Sequence, residues 1–306
     1  MIDVGRSQGE LSVSRKQPRD RSGLWLLWPG LIILGAISLY PTVDLVRLAL
    51  TNANVGSQST DFVGAHNFVQ AVTDPLFGQG LLHTAEWTVL AVGMEVVLGV
   101  LIAWLLSLAL PWARKIALPL LIIPVAAPSV AIAFVWDIIL DPTIGVANYL
   151  LKLVGLHGVD WLGNSHLTLF SLMAIDIWKW TPFIALIVYA GFGALPNDPI
   201  EAAQVDGAGL WRRFLAIELP MLRPFVITAL ALRVIGAFKE FTLIFVLTAG
   251  GPGNASLTAN LYIFRELMTY FNSGYASALA IIMLVVAVVV SQVLLRRGGL
   301  IGAKSH

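Results

Sequence analysis

Seven ionisable side chains lie inside or beside the long apolar segments of this chain, where a charge has few ways to be stable. They are Glu95, Asp137, Asp176, Lys179, Arg233, Lys239 and Glu240. A charge at the centre of a bilayer is costly unless it is paired or hydrated. Three interpretations are therefore open: interhelical ion pairs, long side chains that reach the membrane surface, and substrate contacts. Pairing or reaching the surface is favoured for any single residue, because long cationic side chains reach water readily.

Aromatic side chains accompany several of these charges. An aromatic ring can pack on the apolar C–H face of a sugar or polyol while polar groups bond its hydroxyls. The residues predicted to line such a path are Asp176, Trp178, Lys179, Trp180, Phe183, Tyr189, Arg233, Lys239, Glu240 and Tyr262. Each is weak by itself, because most Trp and Tyr residues of membrane proteins lie in interfacial belts or pack between helices.

The chain lacks the patterns of several other protein classes. It has no cysteine and its five histidines occur singly, so no disulfide and no metal site is predicted. No GxxxxGKS or GxxxxGKT phosphate-binding loop occurs, so this chain is not expected to bind ATP by that route. A net charge of +1 argues against a nucleic-acid partner. No catalytic residue and no cofactor is predicted.

The composition is that of a membrane protein. Hydrophobic residues make up 58% of the chain and charged residues 12%, and the mean hydropathy is +0.82. A helix needs about 20 apolar residues to cross the hydrocarbon core. Six segments qualify: 24–48, 85–110, 116–140, 167–192, 219–247 and 276–295. We therefore predict an all-α polytopic membrane protein with six transmembrane helices, the first an uncleaved helix in preference to a signal peptide.

Lys and Arg placement predicts the orientation. Basic residues precede the first segment, follow the last, and occur at Arg114–Lys115 and Arg212–Arg213, whereas residues 51–84 contain none. Basic connections stay in the cytoplasm. We predict a cytoplasmic and disordered tail over 1–23, a membrane domain over 24–295, and a cytoplasmic tail over 296–306.

The third apolar segment contains three prolines at intervals of four and five residues, Pro119, Pro124 and Pro128. Each removes a backbone donor and clashes with the preceding turn, so this helix is predicted to bend. Two interpretations stay open: the bend lines a hydrated path, or it only serves packing.

A polar, tightly punctuated segment separates the fourth and fifth apolar segments. Asp198 is predicted as an N-cap, with Pro199 at the first helical position and Glu201 completing a capping box. The helix should stop at Gly207, which can take a left-handed conformation, and a second amphipathic turn over 210–219 should follow. The topology places this helix-turn-helix in the cytoplasm.

This segment resembles the EAA loop of ABC importer permeases. The pattern EAAxxDGAxxxxxFxxIxLPxxxP is met by Glu201, Ala202, Ala203, Asp206, Gly207, Ala208, Phe214, Ile217, Leu219, Pro220 and Pro224. Carbohydrate-type permeases are also similar at the DPxxGxxN element that begins at Asp141 and at the outer TAGGPGNAS connection. The resemblance covers about 24–295 and is nearest to the first permease of maltose and glycerol-phosphate type importers. His83 and Thr242 depart from it, where many members have Asn and Asp.

The resemblance implies a type I ABC importer permease fold in a bacterial plasma membrane. It also implies four kinds of partner: a second homologous permease, two ATPase subunits that bind ATP and Mg, an extracytoplasmic solute-binding protein, and the lipid bilayer. The ATPase-coupling residues that it implies are Glu201, Ala202, Ala203, Asp206, Gly207 and Ala208. The implied solute is a sugar, oligosaccharide or polyol.

Three alternatives remain open. The same class of importer could carry glycerol phosphate, another anion or an oligopeptide, since Arg233 and Lys179 would suit an anion. An ion-coupled secondary transporter would show an inverted repeat with paired broken helices, which the sequence does not reveal. A membrane enzyme would need a convergent catalytic set, to which Asp137 and Asp141 are the nearest approach.

Overall fold

The computed structural model describes the backbone of residues 22–56 and 60–297 and the side chains within 28–56 and 60–293. The helices are α1 Ser22–Ala49, α2 His66–Thr73, α3 Pro75–Leu108, α4 Pro111–Ala126, α5 Ser129–Leu140, α6 Val146–Leu153 and α7 Thr168–Phe192. They continue as α8 Asp198–Val205, α9 Leu210–Arg213, α10 Leu219–Met221, α11 Arg223–Phe238, α12 Thr242–Thr248, α13 Ala259–Met268 and α14 Ser273–Arg297, with a π-helical turn Phe214–Glu218 between α9 and α10. No strand occurs among these residues beyond an isolated bridge between Thr51 and Phe62.

The prediction of an all-α polytopic membrane protein is confirmed. In the described part of the chain, four single helices are long and apolar enough to cross a membrane, namely α1, α3, α7 and α14. Two bent helix pairs bring the number to six when each pair is counted as one span. The predicted tails lie outside the described residues, except that 22–23 belong to α1 and 296–297 to α14.

The chain divides into two units, residues 1–45 and 46–306. The described part of the first unit belongs to α1. Its large apolar side chains from Trp28 to Val43 are exposed, and Pro29 and Pro41 lie inside the helix. An apolar helix of this length with no polar face is suited to lipid.

The predicted bend in the third apolar segment is confirmed. The helix breaks between α4 and α5, whose axes differ by 98°. Pro119 and Pro124 lie inside α4, and Pro128 lies in the break, directly before α5. The last bond of the first piece runs from the Ala127 amide to the Ile123 carbonyl. Because Pro128 has no amide hydrogen to continue the ladder, the chain turns there.

The predicted fifth span, 219–247, is not one continuous helix. Helix α10 ends at Met221, and the axis then bends by 67° before α11. Helix α11 ends at Phe238, and α12 begins at Thr242 after three non-helical residues. Glu240 Oε1 accepts a hydrogen bond of 3.0 Å from the Leu243 amide, so this side chain satisfies a free donor at the start of α12.

Helices α3 and α7 pack along each other through the second unit, and α11 packs on both of them. Helix α4 packs on α7, α13 packs on α3, and α14 packs on α11 and α13. Trp87, Leu172, Ile175, Ile244 and Leu279 are fully buried in this core. The backbones approach closely at Gly99 of α3. A Cβ there would lie 2.8 Å from Ile184 Cβ on α7, so glycine is required by contact at this position.

We expect Gly99→Ala to destabilise the protein by about 1–3 kcal/mol, because the added methyl forces α3 away from a fully packed neighbour. Gly93→Ala is the matched control, since a Cβ at Gly93 of the same helix meets nothing within 4 Å. Thermal unfolding in detergent measures both variants. Equal melting temperatures for Gly99→Ala and Gly93→Ala would contradict the close packing of α3 on α7.

Candidate coupling segment and intramembrane charge cluster

The polar segment forms the predicted helix, but it begins differently. Asn197 already has helical angles, φ −75° and ψ −31°, and its carbonyl accepts from the Ile200 and Glu201 amides at 2.9 Å. Asp198 is therefore the first helical residue, and the predicted Asp198 N-cap is wrong. No side chain caps this helix start, so the predicted capping box with Glu201 does not form. Because Asn197 takes helical angles, the helix starts one residue earlier in the chain than predicted.

The helix ends at Gly207 as predicted. Gly207 has φ +75°, in the left-handed region, and its amide donates to the Gln204 carbonyl at 3.1 Å. The Ala208 amide donates to the Ala203 carbonyl at 2.9 Å. These two bonds form a Schellman motif, which reverses the chain after α8. A Cβ at Gly207 would meet nothing within 4 Å, so the requirement for glycine comes from the backbone angle.

The predicted second turn, 210–219, extends to Met221 and contains a π-helical part. Phe214 is buried and stacks on Trp104 of α3, with ring centroids 4.8 Å apart. Trp211 meets Trp104 edge-on at 5.4 Å. Glu218 is buried and pairs with Arg213, Nε to Oε1 2.6 Å. The turn is thus fixed to α3 by rings and internally by an ion pair.

The six predicted coupling residues divide between a surface and its support. Glu201, Ala202, Asp206 and Gly207 are exposed, whereas Ala203 is buried and Ala208 is partly buried. The exposed face also carries apolar side chains, with Val205 88% and Trp211 56% exposed. A projecting surface that combines carboxylates with exposed apolar groups is suited to binding another protein.

The core of the membrane domain holds a buried ion cluster. Arg233 of α11 pairs with Glu95 of α3, Nε to Oε2 2.7 Å, and its other nitrogen donates to Glu95 Oε1 at 2.9 Å. The same guanidinium binds Asp176 of α7. All three side chains are at most 2% exposed. The cluster joins three helices, and of the three interpretations for these residues, the structure forms interhelical ion pairs.

A second cation adjoins this cluster. Lys179 lies one helical turn from Asp176 on α7, is buried, and donates to the Ser129 hydroxyl. Its Nζ lies 5.1 Å from the ring centroid of Trp180, and Arg233 Cζ lies 4.8 Å from the same ring. The charges of Glu95, Asp176, Lys179 and Arg233 sum to zero, and the nearby Glu240 carboxylate interacts electrostatically with Lys179 as well. The ring and the carboxylates therefore compensate both cations without a bound solute.

Of the remaining predicted path residues, Phe183 adjoins the cluster through Trp180, and the Glu240 carboxylate interacts electrostatically with Lys179 and Asp176. Phe183 contacts Trp180 edge-on at 5.9 Å, and Trp178 contacts Trp136 edge-on at 5.5 Å. The structure places Lys239 on the surface, Glu240 at the start of α12, Tyr189 near the end of α7, and Tyr262 on α13. Which of these residues line a path stays a prediction.

Sequence reasoning missed a polar contact at the start of α3, far along this helix from the coupling segment. Asp74 Oδ2 accepts from the hydroxyls of Tyr262 at 2.5 Å and Tyr275 at 2.6 Å, and Asp74 Oδ1 caps α3. Partial burial raises the pKa of the Asp74 carboxyl, but the two tyrosine and two amide bonds outweigh it and hold the pKa below its usual value. An Asp directly before Pro75 was a local signal for the cap.

The DPxxGxxN element forms a compact turn after α5. Asp141 Oδ1 accepts from the Thr143 amide at 2.7 Å, and the bonds from Thr143 and Ile144 lower the pKa of Asp141. A Cβ at Gly145 would lie 2.3 Å from the Asp141 carbonyl, so only glycine fits. Asn148 is buried and bonds the backbone of Val159 in both directions. The element shapes the connection.

The outer connection after α12 is tied to α3. Arg265 donates to the Ala249 carbonyl at 2.7 Å and to Asn254 Oδ1 at 2.8 Å, which braces the GGPG turn. His83 Nδ1 lies 3.0 Å from the Leu257 carbonyl, and Thr84 Oγ1 accepts from the Ala259 amide. His83 thus anchors this connection.

Comparison with known proteins decides the family. The model of the family described as binding-protein-dependent transport system inner membrane component matches residues 95–297. The chain belongs to this family. As a member, this permease is a transport subunit of the ABC importers and a multi-pass protein of the inner membrane. The matched range contains the α8 segment and all three members of the Glu95–Asp176–Arg233 cluster.

Curated relatives match almost the whole permease. The trehalose/maltose transport system permease protein MalF of Thermococcus litoralis is 32% identical over 282 residues, which cover 92% of this chain and 94% of that protein. The sulfoquinovosyl glycerol transport system permease protein SmoG of Agrobacterium fabrum is 32% identical over 274 residues, 89% of this chain and 88% of that protein.

A solved structure has the same fold. One chain of a bacterial ABC transporter involved in the import of the acidic polysaccharide alginate superposes with a TM-score of 0.79. The superposition covers 92% of this chain and 98% of that chain at 24% identity. This match supports the type I importer permease fold that the resemblance implied.

Proposed function

We propose that this permease forms half of a carbohydrate or polyol path and is driven by a separate ATPase that binds α8. Its partners would be a second homologous permease, two ATPase subunits that hold ATP and Mg, and a solute-binding protein. Relatives named for trehalose and maltose, sulfoquinovosyl glycerol and arabinooligosaccharides support the solute class. A solved transporter complexed with its periplasmic protein supports the binding-protein partner.

The observation that carries the coupling role is the exposed, Schellman-terminated α8 between the ends of α7 and α9. With its basic neighbours Arg212 and Arg213 the segment lies in the cytoplasm, as do both termini. An ATPase groove that grips α8 would move α7 and the α9–α11 region together, because the stop at Gly207 fixes their relative direction. The stack of Phe214 on Trp104 passes that motion to α3.

The compensated charges favour a neutral solute. Arg233 is held between two carboxylates, and Lys179 is bonded to Ser129 and lies over a ring. An anionic solute would have to displace one of these buried partners. A hydroxylated, uncharged solute has no need to, and the rings of Trp180 and Phe183 could pack on its C–H face.

Affinity purification from native membranes in mild detergent tests this function. We expect an ATPase, a second permease and a binding protein to co-purify. Glu201→Ala should lower ATPase recovery or hydrolysis stimulated by the binding protein by about tenfold, if its carboxylate makes a charged hydrogen bond in the complex. Glu86→Ala is the control, an exposed carboxylate on the outer half of α3.

Two outcomes would contradict the proposal. The first is solute uptake by the purified chain without any ATPase, which would indicate a secondary transporter. The second comes from a thermal-shift assay of the recovered binding protein with maltose, trehalose and glycerol 3-phosphate. Stabilisation by glycerol 3-phosphate alone would overturn the neutral solute and leave the coupling role intact.

A further inference from the structure

A cavity with charged side chains in its largely apolar lining lies beside the coupling segment and is used by none of the steps above. Its volume is about 380 Å³, and it opens between the end of α3, the start of α4, the end of α7 and the π-helical turn. Arg114, Arg213 and Glu218 line it together with the Tyr189 side chain. The two guanidinium groups and one carboxylate give the lining a net charge of +1.

Two of the residues that line the cavity each have a buried side-chain atom without a hydrogen-bond partner in the described part of the chain. One is a donor, Nε of Arg114, whose other nitrogen donates to the Ser107 carbonyl at 2.6 Å. The other is an acceptor, Oε2 of Glu218, a residue that is 3% exposed and whose other oxygen is taken by Arg213. Buried polar atoms left without partners are costly, so the cavity is suited to a ligand that supplies both an acceptor and a donor.

The position of the cavity indicates which kind of ligand can reach it. It lies where α3 and α7 end, at the depth of the cytoplasmic headgroups in the proposed orientation. Trp112 beside it is 64% exposed and Leu110 is 62% exposed, as expected for side chains at the membrane interface. Basic pockets between transmembrane helices on this side of a membrane bind lipid headgroups. Apolar residues such as Phe192 and Ile200 complete the lining.

We propose that this cavity binds the headgroup of an inner-leaflet phospholipid that carries a hydrogen-bond donor, such as phosphatidylethanolamine or phosphatidylglycerol. The phosphate accepts from Arg114, and the ammonium or hydroxyl group donates to Glu218. Phosphatidylcholine has the phosphate but no such donor, so it fits less well. Because Arg213 and Glu218 belong to the turn that follows α8, a bound lipid would hold the coupling segment at a fixed distance from the membrane surface.

Native mass spectrometry of the full chain in detergent tests the site. The chain is first stripped of lipid and then given each of the three phospholipids with identical acyl chains. We expect ethanolamine and glycerol lipids to be retained about tenfold better than phosphatidylcholine, the difference that one charged hydrogen bond supplies. Arg114→Gln should reduce retention of the favoured lipids by a similar factor. The control Lys115→Gln removes the same charge from an adjacent exposed residue that does not line the cavity.

Glu218→Gln gives a second test if Arg114→Gln does not fold. In this variant the retention of the ethanolamine and glycerol lipids should fall towards that of phosphatidylcholine. Equal retention of all three lipids would overturn the proposal, as would equal losses in Arg114→Gln and Lys115→Gln. Displacement of the lipid by soluble phosphoethanolamine at equal concentration would identify a site for a free phosphate ester instead. The orientation rests on the proposed function, but lipid retention needs no transport, so failure here leaves the coupling role standing.

Discussion

We expect Gly207→Val to leave the permease inserted in the membrane but to abolish uptake and association with the ATPase. Gly207 has φ +75° at the end of α8, and a β-branched residue there costs about 1–2 kcal/mol or more. An eight-residue helix has little stability of its own to offset that strain, so its last turn unwinds. The exposed surface of Glu201 and Ala202 then loses its shape, while the membrane core is untouched.

Gly209→Val is the matched control for this variant. Gly209 is also exposed and meets nothing within 4 Å, but its backbone is extended, with φ −62° and ψ 157°. Valine adopts those angles without strain. Uptake by vesicles and co-purified ATPase are the measurements. Normal transport by Gly207→Val would refute the coupling model. If Gly207→Val and Gly209→Val lose uptake equally, the glycines matter because a side chain there blocks contact with the ATPase, and the left-handed turn is not what is required.

Arg233→Met should destabilise the folded permease by about 3–5 kcal/mol, because it leaves Glu95 and Asp176 as buried carboxylates without their shared partner. We expect most of the variant to aggregate on extraction, as measured by size-exclusion chromatography and thermal unfolding. Arg223→Met is the control, since Arg223 begins the same helix and is exposed.

A second substitution distinguishes charge from packing in this cluster. Arg233→Met combined with Glu95→Gln removes one of the two buried carboxylates that lose their partner, so part of the lost stability should return. If the double variant is as unstable as the single one, the guanidinium matters through its shape and stacking on Trp180. A wild-type melting temperature for Arg233→Met would show that the ion cluster does not stabilise the fold.

The features that could be predicted from the sequence depend on neighbouring residues. Each proline removes a backbone donor from a helix, so a bend was predictable in a segment with three of them, although Pro119 and Pro124 stay inside α4 and the break comes at Pro128. Gly207 follows a short polar helix, which is enough to indicate a left-handed stop. The Asp198 cap was wrong by one residue because Asn197 adopts helical angles that its side chain did not indicate.

Contacts between distant residues were not predictable in this way. Arg233 lies 57 positions from Asp176 and 138 from Glu95, and their pairing depends on how three helices pack. The sequence identified all three as unusual charges but left open which partner each would have. Tyr262 was predicted on the substrate path, yet its hydroxyl bonds Asp74, 188 positions away. Such pairs depend on which surfaces of two helices face each other. The periodicity of apolar residues in one segment does not show which surface of another segment it will contact.

The shared partner of Glu95 and Asp176 also restricts how this protein can change over generations. A single replacement at Glu95, Asp176 or Arg233 alters the charge of a region that water does not reach, and the loss of the arginine is the most severe. Descendants that keep a folded permease would therefore tend to acquire compensating changes together, or to replace the arginine only after a carboxylate has become an amide. Substitutions at these positions should therefore occur in a fixed order, with Glu95 or Asp176 replaced by a neutral residue before Arg233 is replaced.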